Sequence, residues 1–191
     1  VAAIILEPLQ GEGGDNHFRA EFLQALRDYA DAREALLIFD EVQTGFWGSG
    51  KPWLWQHYNI APDIVAFGKK TQVCGIYCSE RIDEVENNVF QFPGRINSTF
   101  GGNLTDMLRC RRFLDIIEAE ALGENITARG DEMLAGLRMT ARETGGMYNV
   151  RGIGSLLAFT LPSPAERDAM MQALAQQKVL ALKAGPTSIR F

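Results

Sequence analysis

The sequence predicts an α/β fold, in which a mainly parallel sheet with flanking helices is followed by an α+β segment. Two observations lead to this prediction. Short, continuously apolar runs that are typical of buried strands alternate with helical periodicity through the first half of the chain. After Arg95 the pattern changes to long helical runs followed by shorter strands. We therefore expect a large domain over residues 1–104 and a small α+β domain over residues 105–191.

The first half of the chain supports the α/β assignment element by element. Ala2–Glu7 is a short apolar run that ends before Pro8, which predicts a buried strand. Apolar residues recur at helical spacing over residues 18–33 and predict an amphipathic helix. The next predicted elements are a strand over Leu36–Val42, a short helix within residues 53–59, a strand over Asp63–Phe67 and a strand over Gly75–Ser79. Alternation of strand, helix and strand favours parallel pairs joined by crossovers.

The second half predicts the α+β segment. A loop rich in glycine and asparagine precedes a helix over about Leu104–Glu120, which we expect to connect the two domains. The remaining predicted elements are a helix over residues 124–144, a strand over residues 151–161, a helix over residues 164–177, and strands near 179–182 and 188–191.

Composition and charge restrict the classes of function. The 191 residues, 46% of them hydrophobic, can build one sizeable core, or one domain and part of another. A formal net charge of −5 gives no reason to expect nucleic acid or an anionic membrane as a partner. The two histidines and three cysteines follow no metal-ligand spacing, so we expect no metal site. Without an export signal, we expect the cysteines to be reduced thiols of a cytoplasmic protein.

Both ends of the sequence look cut. The chain opens without Met in a strand-like run and closes on the strand-like SIRF. We expect a fragment of a longer protein.

Polar residues follow three of the predicted strands where each strand ends. Glu12 follows the first strand, Asp40 ends the second, and Lys69 follows the third. Ligands of open α/β sheets bind beyond the carboxyl ends of the strands, so we expect these residues to converge. A lysine and a carboxylate in this position suit pyridoxal 5′-phosphate (PLP). The lysine can form a Schiff base with its aldehyde, and the carboxylate can pair with its protonated ring nitrogen.

The segment FDEVQTGFWGSGKPWLWQHYNIAPDIVAFGKK combines a strand-end Asp-Glu, a Gly-rich turn, Ala-Pro-Asp and a strand ending in Gly-Lys. This pattern resembles the signature of class III aminotransferases. The strings AFGKKTQVCG, RINSTFGGNLTDM and ALKAGPTSIRF are similar to the lysine 6-aminotransferase branch of that class. TQVCGIYC replaces the Gly-rich, Pro-containing stretch that is usual in the class. The resemblance covers essentially the whole chain and implies the fold-type I PLP-dependent transferase fold.

The resemblance implies roles for four cofactor-binding residues. Lys69 resembles the catalytic lysine that holds PLP and moves a proton between substrate and cofactor, and the Gly-Lys step favours Lys69 over Lys70. Asp40 resembles the partner of the pyridinium nitrogen, and Gln43 resembles the residue that hydrogen-bonds the phenolic oxygen. Thr99 resembles a threonine that reaches the PLP phosphate of a second subunit. The resemblance therefore implies a homodimer with its active site at the subunit interface.

The resemblance also implies two substrate-binding residues. Arg190 resembles the arginine that binds the substrate α-carboxylate through a bidentate pair of hydrogen bonds. Glu12 resembles an acid that contacts an arginine and helps one site to accept two different substrates. The implied reaction transfers the ε-amino group of L-lysine to 2-oxoglutarate, giving 2-aminoadipate 6-semialdehyde and glutamate.

Two alternatives stay open. The first is another ω-amino acid as substrate, such as ornithine or 4-aminobutyrate, although the strings QVCG and NSTFGGNLTDM argue against it. The second is a non-catalytic PLP-fold fragment, which the intact pair of Asp40 and Lys69 opposes. In the family, the N-terminal part supplies the main phosphate cup and the aromatic residue that stacks on the ring. We therefore expect the isolated chain to be inactive.

Overall fold

The computed structural model describes residues 2–97, 99 and 101–191 of the protein. The elements of the first half are, in chain order, β1 (Ala3–Leu6), β2 (Leu9–Gln10), β3 (Asn16–His17), α1 (Ala20–Asp31), β4 (Leu36–Asp40), α2 (Trp55–Tyr58), β5 (Ile64–Phe67) and β6 (Gly75–Cys78). Short 3₁₀ turns cover Lys69–Thr71 and Glu80–Glu84. Four of the strands form a sheet in the order β1-β4-β5-β6. The first three strands are parallel, as predicted, and β6 is antiparallel to β5.

Helix α1 packs on this sheet through an apolar stripe. Leu23 and Ala30 of the helix belong to the same buried cluster as Leu37 and Phe39 of β4. The helical pair lies at helical spacing and the strand pair at alternate positions, so each element presents one apolar face to the other. Burial of each leucine or phenylalanine stabilises the fold by about 1.5–3 kcal/mol. This core fixes the carboxyl end of β4, where Asp40 lies.

The small hairpin of β2 and β3 was not predicted from the sequence. Its strands have two residues each, too few to show a period of two. The Asp15 N–H closes the turn by donating to the Gly11 carbonyl at 2.8 Å. The turn needs a left-handed backbone at Gly14 (φ 137°), which glycine adopts without steric cost. The hairpin thus carries the Gly-rich segment that follows the carboxyl end of β1.

The second half adds three helices and an antiparallel sheet. Its elements are, in chain order, α3 (Leu104–Ala119), α4 (Leu122–Thr144), β7 (Tyr148–Ile153), β8 (Leu156–Thr160), α5 (Pro164–Gln176), β9 (Leu182–Ala184) and β10 (Ser188–Arg190). The strand order is β7-β8-β10-β9, with every neighbouring pair antiparallel. Among the described residues, no helix is both long and apolar enough to cross a membrane.

Two details of the second half differ from the sequence prediction. The predicted strand over residues 151–161 is wrong, because the run is a hairpin of β7 and β8 that turns at Gly154 (φ 56°). The strand predicted near 179–182 begins at Leu182 instead. The Val179 N–H still donates to the Leu174 carbonyl at 2.9 Å, so the end of α5 holds that part of the chain. The other predicted helices and strands are confirmed with small shifts of their ends.

The two halves meet through close backbone contact at the Gly154 turn. The N–H and hydroxyl of Ser155 donate to the Gly48 carbonyl at 2.9 Å and 2.8 Å. A Cβ on Gly154 would lie 2.6 Å from the carbonyl carbon of Ser49, and one on Gly130 of α4 would lie 2.1 Å from the Gly154 oxygen. A side chain at Gly130 or at Gly154 is therefore excluded from this contact.

Candidate active site

The carboxyl ends of β4 and β5 bring the predicted cofactor residues to one edge of the first sheet. Asp40 is the last residue of β4 and pairs in register with Ala66 of β5. Lys69 follows β5 after a single glycine, and Gln43 lies three residues beyond Asp40. Since the two strands are parallel, these side chains leave the sheet at the same edge, as predicted.

Lys69 presents its amine to Gln43. Its Nζ donates to Oε1 of Gln43 at 2.8 Å on the exposed side of the sheet edge. The backbone of Lys69 is left-handed, with φ of 55°, a conformation that costs a residue other than glycine about 1–2 kcal/mol. Among the residues that the structure describes, no carboxylate forms an ion pair with Lys69. The amine is therefore held by a neutral amide rather than locked by a charge.

Asp40 keeps one oxygen for a ligand. Its Oδ1 accepts a hydrogen bond from the Val42 N–H at 3.0 Å, which fixes the carboxylate against the start of the loop. The side chain is only partly buried, and no described residue donates to Oδ2. This carboxylate can pair with a cationic nitrogen of a bound ring.

A second pair lies beside Lys69 and Gln43. Arg190, at the end of β10, donates from Nη2 to Oε2 of Glu12 at 2.8 Å. The Arg190 side chain is 12% exposed and the Glu12 side chain is 87% exposed. Arg190 is thus fixed within the protein, whereas the Glu12 carboxylate is on the solvent side and has room to leave the pair.

Gly11 lies between the two pairs. A Cβ at this position would lie 3.1 Å from Nη1 of Arg190 and 3.1 Å from Cγ of Gln43. The Gly11 N–H donates to Oε2 of Glu7 at 3.0 Å, which holds the turn in place. Close approach at a residue without a side chain therefore brings Arg190 and Gln43 into one site.

Thr99 is not part of this cluster. It is exposed, and within the part of the chain that the structure describes no hydrogen bond joins it to Asp40, Gln43, Lys69, Glu12 or Arg190. Its contribution to a second subunit stays a prediction.

Lys70 bonds the backbone of the loop that carries Gln43. Its Nζ donates to the backbone carbonyl of Gln43 and packs near Gly48. Burial lowers the pKa of Lys70, and the positive charge of Lys69 lowers it further. The Lys70 amine is therefore bonded to the backbone of the chain, whereas the hydrogen bond of the Lys69 amine is exposed.

Glu41 organises the loop after β4. Only 1% of the residue is exposed. Its carboxylate accepts from the Leu54 N–H at 2.6 Å, the Trp55 N–H at 2.9 Å and the Thr44 hydroxyl at 3.1 Å. Burial raises the pKa of Glu41, although these hydrogen bonds oppose the rise. Glu41 thus ties the Gly-rich loop to the start of α2 and has a structural role.

The sequence analysis missed Arg151, a buried arginine in β7. Burial lowers its pKa below the ordinary arginine value. Its guanidinium contacts the turn that carries Glu12 and the strand that carries Arg190. The available signal was a charged residue within the otherwise apolar and glycine-containing run VRGIG.

Known proteins match the whole chain. Residues 1–191 match the family Aminotransferase class-III. An L-lysine-epsilon aminotransferase of Mycobacterium tuberculosis is 50% identical over 100% of this chain and 43% of its own length. A 4-aminobutyrate aminotransferase of Dictyostelium discoideum is 37% identical over 100% of this chain and 38% of its own length.

A solved structure agrees with this assignment. A lysine aminotransferase from M. tuberculosis in the internal aldimine form has a TM-score of 0.96 at 50% identity, over 100% of this chain and 44% of that one. The chain thus spans less than half the length of each of these three relatives. The protein belongs to the class III aminotransferase family.

Proposed function

We propose that the protein containing this chain is a PLP-dependent L-lysine 6-aminotransferase. It transfers the ε-amino group of L-lysine to 2-oxoglutarate and yields 2-aminoadipate 6-semialdehyde and glutamate. One observation carries the choice of substrate: identity to a lysine aminotransferase is 50% over the whole chain, against 37% for a 4-aminobutyrate aminotransferase. The ornithine and 4-aminobutyrate alternatives are correspondingly weaker.

The residues of the site fit PLP. The Lys69 amine is held by a neutral amide, and Asp40 leaves an oxygen for a ring nitrogen. The side-chain amide of Gln43 lies between them in sequence and can also donate to a phenolic oxygen. Bound PLP supplies an aldehyde that takes up the amino group and a ring that accepts the electrons of the broken C–H bond.

Lys69 does the proton transfer in this proposal. Its Nζ would act as general base and acid at the reacting carbon. In the first half-reaction it would move the proton removed from Cε of lysine to the bound cofactor, and in the second it would move a proton from the cofactor to C2 of the acceptor. Gln43 orients this nitrogen through the 2.8 Å hydrogen bond. Asp40 would pair with the ring nitrogen through the oxygen that accepts no hydrogen bond from the described residues.

Glu12 and Arg190 would allow one site to bind two different substrates. The reacting carbon of 2-oxoglutarate carries a carboxylate, whereas Cε of lysine carries none. Arg190 can bind that carboxylate when Glu12 moves away, and Glu12 neutralises Arg190 when lysine is bound. The high exposure of Glu12 supports this exchange.

Other features of the proposal concern the whole protein. We propose residues 1–104 as part of a PLP-binding large domain and residues 105–191 as part of a small domain. The enzyme would be a cytoplasmic homodimer in which Thr99 contacts the phosphate held by the partner subunit. The isolated chain would be inactive, because it spans less than half the length of the relatives compared above.

Borohydride trapping tests the central residue. Full-length wild-type enzyme would be loaded with PLP and reduced, and the labelled lysine would be identified by peptide mass spectrometry. We expect the label on Lys69, and its loss together with lysine turnover in Lys69→Ala. Lys51→Ala, which removes an exposed lysine elsewhere, is the control. A label on Lys70, or faster turnover of ornithine or 4-aminobutyrate than of L-lysine, would contradict the proposal.

A further inference from the structure

Arg151 in β7 bonds two segments that lie far apart in the sequence, the turn of the β2–β3 hairpin and strand β10. Its Nε donates to the Asp15 carbonyl at 2.5 Å, and its Nη2 donates to the Gly14 carbonyl at 2.6 Å. These carbonyls belong to the turn of the β2–β3 hairpin, two and three residues after Glu12. A forked pair of hydrogen bonds from one planar group fixes both the position and the direction of the turn.

The same guanidinium holds the second sheet. Nη2 also donates to the Ser188 hydroxyl at 3.1 Å, and Nη1 donates to the Thr160 hydroxyl at 3.1 Å and the Asn149 carbonyl at 2.7 Å. All five N–H donors of Arg151 are therefore accepted by neutral oxygens. Only 9% of Arg151 is exposed, so these bonds are made where water competes little.

Ser188 and Arg190 lie on one face of β10, since side chains two residues apart in a strand point to the same side. The hydrogen bond from Arg151 to Ser188 therefore holds β10 on the same face from which Arg190 reaches Glu12. A further bond runs between the same segments, because the Gly185 N–H donates to the Glu12 carbonyl at 3.1 Å. The hairpin turn at Gly14 and Asp15 and strand β10 are thus held together around Arg151, and we call this arrangement the frame.

We propose that Arg151 is a positioning residue that sets the geometry of the Glu12–Arg190 pair and so determines how well the enzyme accepts the dicarboxylate substrate. This inference rests on the proposed function. Arg190 must meet the carboxylate beside the reacting carbon as an aligned fork, and its alignment comes from the frame. The amine half-reaction places no carboxylate on Arg190 next to the reacting carbon, so it depends less on that alignment.

Half-reactions of the full-length holoenzyme test the role of Arg151. The variants are Arg151→Lys, which keeps the charge but loses the fork, and the milder Ser188→Ala. Single-turnover absorbance would follow the reaction with L-lysine and, separately, the return reaction with 2-oxoglutarate. Displacement of a site by about 1 Å can cost about 100-fold, and a smaller shift in Arg151→Lys should cost about tenfold with 2-oxoglutarate and less than about threefold with lysine. Ser188→Ala should give a weaker loss in the same direction.

A binding measurement gives a readout besides activity. Glutarate has the two carboxylates of the acceptor but no keto group, so calorimetry reports recognition without reaction. Its dissociation constant should rise about tenfold in Arg151→Lys. The control is Arg27→Lys, which removes a fork from an arginine that bonds Asp31 and Asp63 beside α1, away from the hairpin turn. That variant should lower stability without separating the two half-reactions.

Equal loss of both half-reactions in Arg151→Lys and Ser188→Ala, with unchanged glutarate binding, would overturn the inference and leave Arg151 as a purely structural residue. A double-mutant cycle between Arg151→Lys and Glu12→Ala should show coupling in the 2-oxoglutarate reaction, and strict additivity would count against the inference. Failure of the proposed function is distinguishable, because the wild-type enzyme would then fail to react with L-lysine.

Discussion

Replacement of Gly11 by alanine in the full-length enzyme should lower activity while leaving the protein folded. The added Cβ would lie 3.1 Å from Nη1 of Arg190 and 3.1 Å from Cγ of Gln43, so both side chains must move by a few tenths of an ångström. Both belong to the candidate site. The substitution therefore displaces the Glu12–Arg190 pair and the Lys69–Gln43 pair together.

The effect of Gly11→Ala on stability can be worked out from two opposing contributions. The backbone of Gly11 is outside the left-handed region, so alanine fits it and restricts the unfolded chain, which stabilises by about 0.4–1 kcal/mol. The tight contacts destabilise by about 1–3 kcal/mol. The free energy of unfolding should thus fall by about 0–2.5 kcal/mol. A shift of a few tenths of an ångström at the site should lower kcat/KM about tenfold for both substrates.

Urea unfolding and steady-state kinetics on the same preparations measure the two effects. Gly146→Ala is the matched control, because a Cβ there meets nothing within 4 Å. It should raise the free energy of unfolding by about 0.4–1 kcal/mol, because only the restriction of the unfolded chain remains, and it should leave kcat/KM unchanged. Full activity of Gly11→Ala at unchanged stability would refute the view that the site is assembled by close approach at Gly11.

Three further substitutions have predictable results. Glu41→Gln should lower the free energy of unfolding by about 1–3 kcal/mol, because its NH₂ group would face a backbone N–H; an unchanged urea midpoint would contradict this. Burial lowers the pKa of His57, and the positive charge of Lys51 lowers it further. The stability that neutral His57 contributes is therefore present above about pH 6.5 and is lost as the pH falls. Wild type should therefore lose more stability than His57→Gln between about pH 7.5 and about pH 5 in thermal melts, and parallel curves would exclude this linkage. Gly154→Ala should destabilise by about 3 kcal/mol or more, whereas Gly94→Ala, left-handed but in open space, should cost only about 1 kcal/mol; similar losses would show that the backbone contact is unimportant.

Periodicity and chain order were sufficient to predict the strands of the first sheet and the positions of Asp40 and Lys69 at the carboxyl ends of two neighbouring parallel strands. Apolar runs identify buried strands, and parallel neighbours must release their carboxyl ends at one edge. The resemblance placed Glu12 and Arg190 in one site, and the structure brings the two side chains into contact.

Other features depend on contacts that no local pattern encodes. The β2–β3 hairpin is too short for a period, and the turn at Gly154 divides an apolar run that local residues predict as one strand. Arg151 is a charged residue in a strand, and its five acceptors come from four separate parts of the chain. Such a residue acquires its role only when tertiary structure supplies the oxygens.

The contact of Gly130, Gly154 and Ser49 also bears on how the protein can move. An interface of side chains can absorb a small displacement by changing rotamers, but main chain against main chain has no such freedom. If the second sheet shifts when a substrate arrives, α4 and the loop around Ser49 must travel with it as one body. That loop begins where β4 ends at Asp40, so motion around Glu12 and Arg190 would be transmitted to the Asp40 carboxylate.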